Sequence, residues 1–177
     1  MKEIEELIDG MEEELKEIRR YFHSHPELSN QEFATADRIC EYLDRWGVEY
    51  ERGIAGTGIV AMVRGKKPGK TVGIRADMDA LPVEEENDVP YRSEQPGVMH
   101  ACGHDAHMTV LLGAAKVFQT MRDRLSGNAK FFFQPAEETT GGALRMIQAG
   151  CLENPHGDYV LGLHATAPIP TRAGTPL

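Results

Sequence analysis

Along the opening segment Ile4, Leu7, Ile8, Met11, Leu15, Ile18 and Phe22 recur at steps of three and four, with one adjacent pair and charged residues between them. That spacing predicts one amphipathic helix, which Pro26 and Leu28 interrupt. Ser29 stands three residues before Glu32, the arrangement of a capping box, so a second helix is expected to start there. Phe33, Ala36, Ile39, Cys40 and Leu43 continue its apolar face, and Gly47 supplies a stop. The period then changes. GIVAMV (Gly58 to Val63) and TVGIRA (Thr71 to Ala76) read as strands flanking a Gly65–Gly69 turn region. Leu81 to Met99 is polar and proline-rich and reads as a long surface loop, a length that in compact domains often goes with function. A helix is expected from about Asp105 to Met121, then a strand Ala129–Gln134 (AKFFFQ), a short helix Gly142–Gln148 and a strand Tyr159–His164 (YVLGLH). The alternation predicts an α/β three-layer sandwich with a largely parallel, mixed sheet.

The composition narrows the classes. The chain has 177 residues, 41% hydrophobic, which suffices for a core and fits one domain or part of a larger one. Its formal charge of -9 (19 Lys+Arg against 28 Asp+Glu) argues against nucleic acid or an anionic membrane surface as a partner. No apolar stretch is long enough to span a bilayer, and the acidic N-terminus is unlike a secretory signal. With three cysteines, Cys40, Cys102 and Cys151, the expected location is the reducing cytoplasm. Residues 165–177 hold three prolines and one glycine and predict no closing element.

Chemistry is expected at the carboxyl ends of the strands, where loops of open α/β sheets gather ligands. One strand leads into Asp77-Met78-Asp79, another into Pro135-Ala136-Glu137-Glu138, and a third ends at His164. His100-Ala101-Cys102-Gly103-His104-Asp105 opens the predicted helix at the same edge. Thiolate, imidazole and carboxylate together suit a borderline divalent metal. Taken singly, each has a plainer reading: a turn or cap for Asp-x-Asp, a small buried hydrophobe for Cys102, a solvated helix start for Glu137-Glu138, a structural histidine for His164. Placement at equivalent strand ends favours a metallohydrolase, and the structural reading stays open beside it. His23, His25 and His107 read as packing or capping groups, Cys40 as core, and Glu84-Glu85-Glu86 as solvated loop.

Five ordered motifs carry a resemblance: FHSHPELSNQE (Phe22 to Glu32), IRADMDALP (Ile74 to Pro82), HACGHDAHM (His100 to Met108), FFFQPAEE (Phe131 to Glu138) and LGLHA (Leu161 to Ala165). Together the chain resembles the aminoacylase and hippurate-hydrolase group of dinuclear metallopeptidases. It is most similar to the branch with indole-acetyl-amino-acid hydrolases and N-acetyl-diaminopimelate deacetylases. The resemblance implies that Cys102, His104, Glu138 and His164 are metal ligands, with Cys102 as the bridge, and that Glu137 is the general base. Asp77 stands where related peptidases have a ligand histidine, so its ligand role stays open, and Asp79 would orient a ligand. The implied cofactors are two divalent ions, Mn²⁺ or Zn²⁺ first and Co²⁺ or Ni²⁺ next. The implied substrate is a small N-acyl amino acid, cleaved at its amide bond by an activated water.

Relatives of this group are roughly twice as long, with an inserted lid that also forms a homodimer. Residues 1–177 are therefore expected to be the first half of the catalytic domain, with the lid and a last ligand histidine beyond them. Two further readings accompany the amidohydrolase: a non-catalytic fragment or pseudoenzyme with the fold only, and a dipeptidase or carboxypeptidase of the same clan.

Overall fold

The computed structural model describes residues 2–165, so the expectation about the proline-rich tail lies outside the described residues apart from Ala165. The elements are α1 (Lys2–Asp9), α2 (Glu12–Ser24), α3 (Phe33–Trp46), β1 (Glu49–Ile54), β2 (Gly58–Arg64), β3 (Lys67–Asp77), α4 (His104–Thr120), β4 (Ser126–Gln134), α5 (Gly142–Gln148) and β5 (Tyr159–Gly162). The first apolar stripe is split into two helices at Gly10-Met11, and α1 buries none of its side chains. Glycine weakens a helix interior, and α1 lacks the packing that would offset it.

The expected capping box is not formed. Glu32 occupies the cap position of α3 without a side-chain cap bond. The Glu27 carboxylate instead accepts the Ala34 and Thr35 N–H groups at 3.2 and 2.7 Å, which satisfies free donors of the first turn. At the other end Gly47 takes the left-handed conformation (φ 65°), and Val48 N–H returns to the Leu43 carbonyl at 2.9 Å.

The five strands lie in the order β1-β2-β4-β3-β5. β4 and β5 both run parallel to β3, whereas β2 is antiparallel to β1 and β4. The α/β sandwich of the sequence reading is present, with a more evenly mixed sheet. β1, which the sequence reading missed because its six residues are mostly polar and exposed, forms a short hairpin with β2. A connection that short forces antiparallel pairing.

Strand β4 is the centre of the three layers. Phe131 and Phe133 enter the main core with Ile18, Phe22, Ile39, Leu43, Met108, Leu111 and Leu112 of α2, α3 and α4. Phe132 faces the other way, onto Met146 and Cys151 at α5. Alternation across one strand thus serves both faces, as a continuous apolar run requires. Each fully buried Phe or Leu contributes about 1.5–3 kcal/mol. Because β3, β4 and β5 are parallel, their carboxyl ends emerge at one edge, beside the N-terminus of α4. No described helix is long and apolar enough to cross a membrane.

Candidate metal centre

Each strand end delivers a group. β3 ends at Asp77 and continues through Asp79, β4 runs into Glu137 and Glu138, and β5 leads to His164. Gly103, left-handed at φ 82°, turns the chain into α4 and sets Cys102 and His104 on either side of the turn. Ligand atoms of Cys102, His104 and Glu138 lie within 4.8 Å of one another, as do those of Asp77, His104, His107 and His164. The two groups share His104 and are joined again by Cys102 Sγ, 3.7 Å from His164 Nε2. The residues expected from separate motifs thus form one cluster.

The donor set fits a cation. His104 Nδ1–H donates to the Asp79 carbonyl at 2.8 Å, which leaves Nε2 as the lone-pair nitrogen. That Nε2 is buried without a hydrogen-bond partner, and so is Glu138 Oε1, 3.7 Å away. Facing each other in a buried site, these two atoms are unfavourable unless positive charge is placed between them, either a bound cation or a second proton on His104, whose pKa burial lowers but Asp79 and Asp77 raise more strongly. The Cys102 thiol points to the same need: burial, and then Glu138 beside it, push its pKa up to about 11. A thiolate forms there only with added positive charge.

The surrounding groups hold these donors in place. Asp79 Oδ2 accepts the Ser29 hydroxyl at 2.6 Å and the Glu138 N–H at 3.0 Å. Burial raises its carboxyl. His104, Ser29 and the backbone N–H groups of Glu138 and Glu137 outweigh burial and hold it at about 2. Asp77 is fully engaged, with Oδ2 accepting from Arg75 Nη1 at 2.7 Å and Oδ1 accepting from His107 at 2.6 Å. Its pKa is lowered although burial opposes this, because His107, His104 and Arg75 favour the anion. Glu137 is exposed while its neighbour Glu138 is half-buried. One carboxylate is therefore turned to solvent and one into the cluster.

Three expectations are corrected. His107 is no simple packing group, since it bridges Asp77 and the backbone of Ala165, whose N–H it accepts at 2.8 Å. Its position three residues after His104 on α4 was the available signal, because that spacing shares a helix face. His23 is buried between Asp105 (2.8 Å) and Glu85 (3.0 Å). Glu85 is accordingly buried rather than solvated, and it also accepts from Ser93 N–H and Asn87. By contrast His25 stacks on Tyr21, and Cys40 lies in the core as expected.

Comparison with known proteins agrees with this geometry. The pattern of Peptidase family M20/M25/M40 matches residues 73–175. The N-acyl-L-amino acid amidohydrolase of Geobacillus stearothermophilus is 46% identical over 170 residues, covering 95% of this chain and 45% of that protein. Thermostable carboxypeptidase 2 of Saccharolobus solfataricus is 45% identical over 176 residues, covering 94% and 44% respectively. The crystal structure of the Bacillus subtilis YXEP protein, a dinuclear metal-binding peptidase from the M20 family, superposes with a TM-score of 0.84 at 37% identity, covering 89% of this chain and 44% of that one. The chain spans less than half the length of these relatives. With a family pattern over more than half of its residues and the same fold, the chain belongs to peptidase family M20/M25/M40.

Proposed function

We propose that the whole protein is a metal-dependent amidohydrolase that cleaves the amide bond of N-acyl amino acids, and that residues 1–177 are the first part of its catalytic domain. The observation that carries this reading is the pair of buried, unpartnered acceptors, His104 Nε2 and Glu138 Oε1, beside Cys102. In this reading Cys102, His104, Glu138 and His164 would hold two divalent cations, Mn²⁺ or Zn²⁺. Such a pair, when bound, supplies Lewis acidity to a carbonyl oxygen and acidifies water.

Glu137 acts as the general base. Its exposed carboxylate takes a proton from the attacking water, whose oxygen bonds to the amide carbon. It then passes that proton to the nitrogen as the C–N bond breaks, so that a carboxylic acid and an amine leave, the acid then giving up its proton to solvent. Asp79 keeps His104 in the tautomer with Nε2 free and fixes the Glu138 backbone. Arg75 and His107 keep Asp77 anionic within the cluster.

The carboxypeptidase relative supports a second reading, release of a C-terminal residue from a peptide. Chemically the two are close, because a peptide is itself an N-acylated amino acid. Assay of the whole protein with N-acetyl and N-benzoyl amino acids against dipeptides distinguishes them. In the same assay Glu137→Gln should keep metal and lose turnover, and Cys102→Ser should lose both. Absence of bound metal in the purified wild-type protein would favour a non-catalytic role instead.

A further inference from the structure

The sequence reading assigned Glu32 to a helix cap, and the proposed mechanism does not use it. It is fully buried, and its two oxygens are committed far from α3. Oε2 accepts the Thr57 hydroxyl at 2.7 Å, and Oε1 accepts the Ala136 N–H at 2.8 Å. Among the described residues no Lys, Arg or His forms an ion pair with it. A carboxylate placed there without a counter-charge is unfavourable unless its hydrogen bonds are worth keeping.

What it holds is an unusual backbone. Ala136 has φ 51°, the left-handed region that an alanine rarely enters. It is the residue before Glu137. On the far side of Glu137, the Glu138 N–H is held by Asp79 Oδ2, which is itself held by Ser29. Ser29 and Glu32 belong to one short segment, which makes a turn closed by Gln31 N–H to the Leu28 carbonyl and then enters α3. That segment therefore fixes the chain on both sides of Glu137, once directly and once through Asp79.

The geometry points to Glu32 as a positioning residue: its buried carboxylate clamps the left-handed turn at Ala136, so that Glu137 projects to solvent while Glu138 turns into the cluster. This rests on the reading of Glu137 as base and Glu138 as ligand. A left-handed alanine has a lower-energy alternative at negative φ. Without the clamp the turn relaxes toward it and both carboxylates shift.

The test uses the whole protein. Glu32→Ala should lower kcat by on the order of 100-fold, the effect of a displacement of about 1 Å at a reacting group, with KM nearly unchanged. Glu32→Gln should stay near wild type, because its carbonyl oxygen can still accept from Ala136 while its NH₂ donates to the Thr57 oxygen. Ala136→Gly on the Glu32→Ala background should restore much of kcat, since glycine adopts positive φ without the clamp. In the metal-free protein, amide exchange at Ala136 should quicken in Glu32→Ala while the core strand β4 stays protected. Thr57→Val, which removes the other bond to Glu32, should leave kcat near wild type.

If Glu32→Ala does not fold, Glu32→Asp carries the same comparison, because the charge stays and the carboxylate retracts by about 1.5 Å. Wild-type kcat in folded Glu32→Ala, an equal loss in Thr57→Val, or no recovery with Ala136→Gly would each overturn the proposal. Ordinary turnover in Glu137→Gln would instead sink the reading on which it rests, so the two failures are distinct.

Discussion

His107 stands between Asp77 and the backbone of Ala165, donating from Nδ1 to Asp77 Oδ1 at 2.6 Å and accepting the Ala165 N–H on Nε2 at 2.8 Å. Both nitrogens are therefore occupied, and only the tautomer with the proton on Nδ1 satisfies both contacts. The ladder between β5 and β3 ends at Gly162. The next backbone anchor of that segment is this bond, one residue past His164. His107 thus acts on His164 through the main chain.

With His164 read as a ligand, His107→Leu should weaken the binding of one cation by roughly 10-fold or more, the range seen when supporting groups behind a ligand are removed. Metal titration of the whole protein checks this. A stoichiometry reduced from two to one at saturating metal would make His107 a ligand in its own right.

The strand-end motifs and the central β4 strand were legible because their signals are local: runs of apolar residues with a fixed period, each leading into chemically distinct residues. The contacts of Glu32 and His23 were not. Glu32 meets Ala136 across 104 positions and His23 meets Asp105 across 82, and no periodicity encodes a pairing that distant. Ser29-x-x-Glu32 shows how a local rule misleads. Its spacing suits a capping box, but Asp79 and Ala136 offered buried partners that the sequence does not reveal. His107 lies between these cases, since its helical spacing from His104 was visible and its bond to Ala165 was not.

The start of α3 gives a direct check on that misreading. Glu27, not Ser29, accepts the first-turn N–H groups. Glu27→Ala should destabilise the protein by about 1 kcal/mol, as loss of a cap does. Ser29→Ala should act mainly on the metal centre, through Asp79. Thermal melting of the metal-free Glu27→Ala variant checks the first assignment, and an unchanged melting temperature would show that Glu27 does not cap α3.

His23 makes stability depend on pH. The hydrogen bond His23 donates to Asp105 raises its pKa above the ordinary 6.5, against the effect of burial, and Glu85 adds to the rise. A ring whose two nitrogens both face carboxylates must carry both protons to satisfy them. The stabilisation is thus fully present below about pH 6.5 and is lost as pH rises through the elevated folded-state value. Burial pushes Asp105 and Glu85 up, but their hydrogen bonds hold both below the usual carboxylate range, so their own contribution fades only in acid. His23→Leu should cost on the order of 1–3 kcal/mol near pH 6, because Asp105 and Glu85 lose a charged buried partner while Arg19 still pairs with Asp105 at 2.9 Å. The difference from wild type should shrink toward pH 9. Melting curves at several pH values measure it, and a pH-independent difference would show that His23 is neutral in the fold.

Gly142 tests how tightly the Glu137 segment is tied to helix α5. A Cβ at this position would lie 1.8 Å from the Pro135 carbonyl oxygen and 2.8 Å from its carbon. Both are backbone atoms, so no side-chain rotation relieves the clash. Either the start of α5 or the Pro135 peptide must move, and the Gly142 N–H to Ala136 carbonyl bond of 3.2 Å links the two. Gly141 is the control. It is left-handed at φ 63°, yet a Cβ there meets nothing within 4 Å. Gly141→Ala should therefore cost only the conformational penalty, about 1–2 kcal/mol, and leave turnover unchanged. Gly142→Ala should lower both melting temperature and kcat, because the displaced peptide lies two residues before Glu137. Equal kcat in the two variants would mean that the segment absorbs the displacement before it reaches the carboxylates.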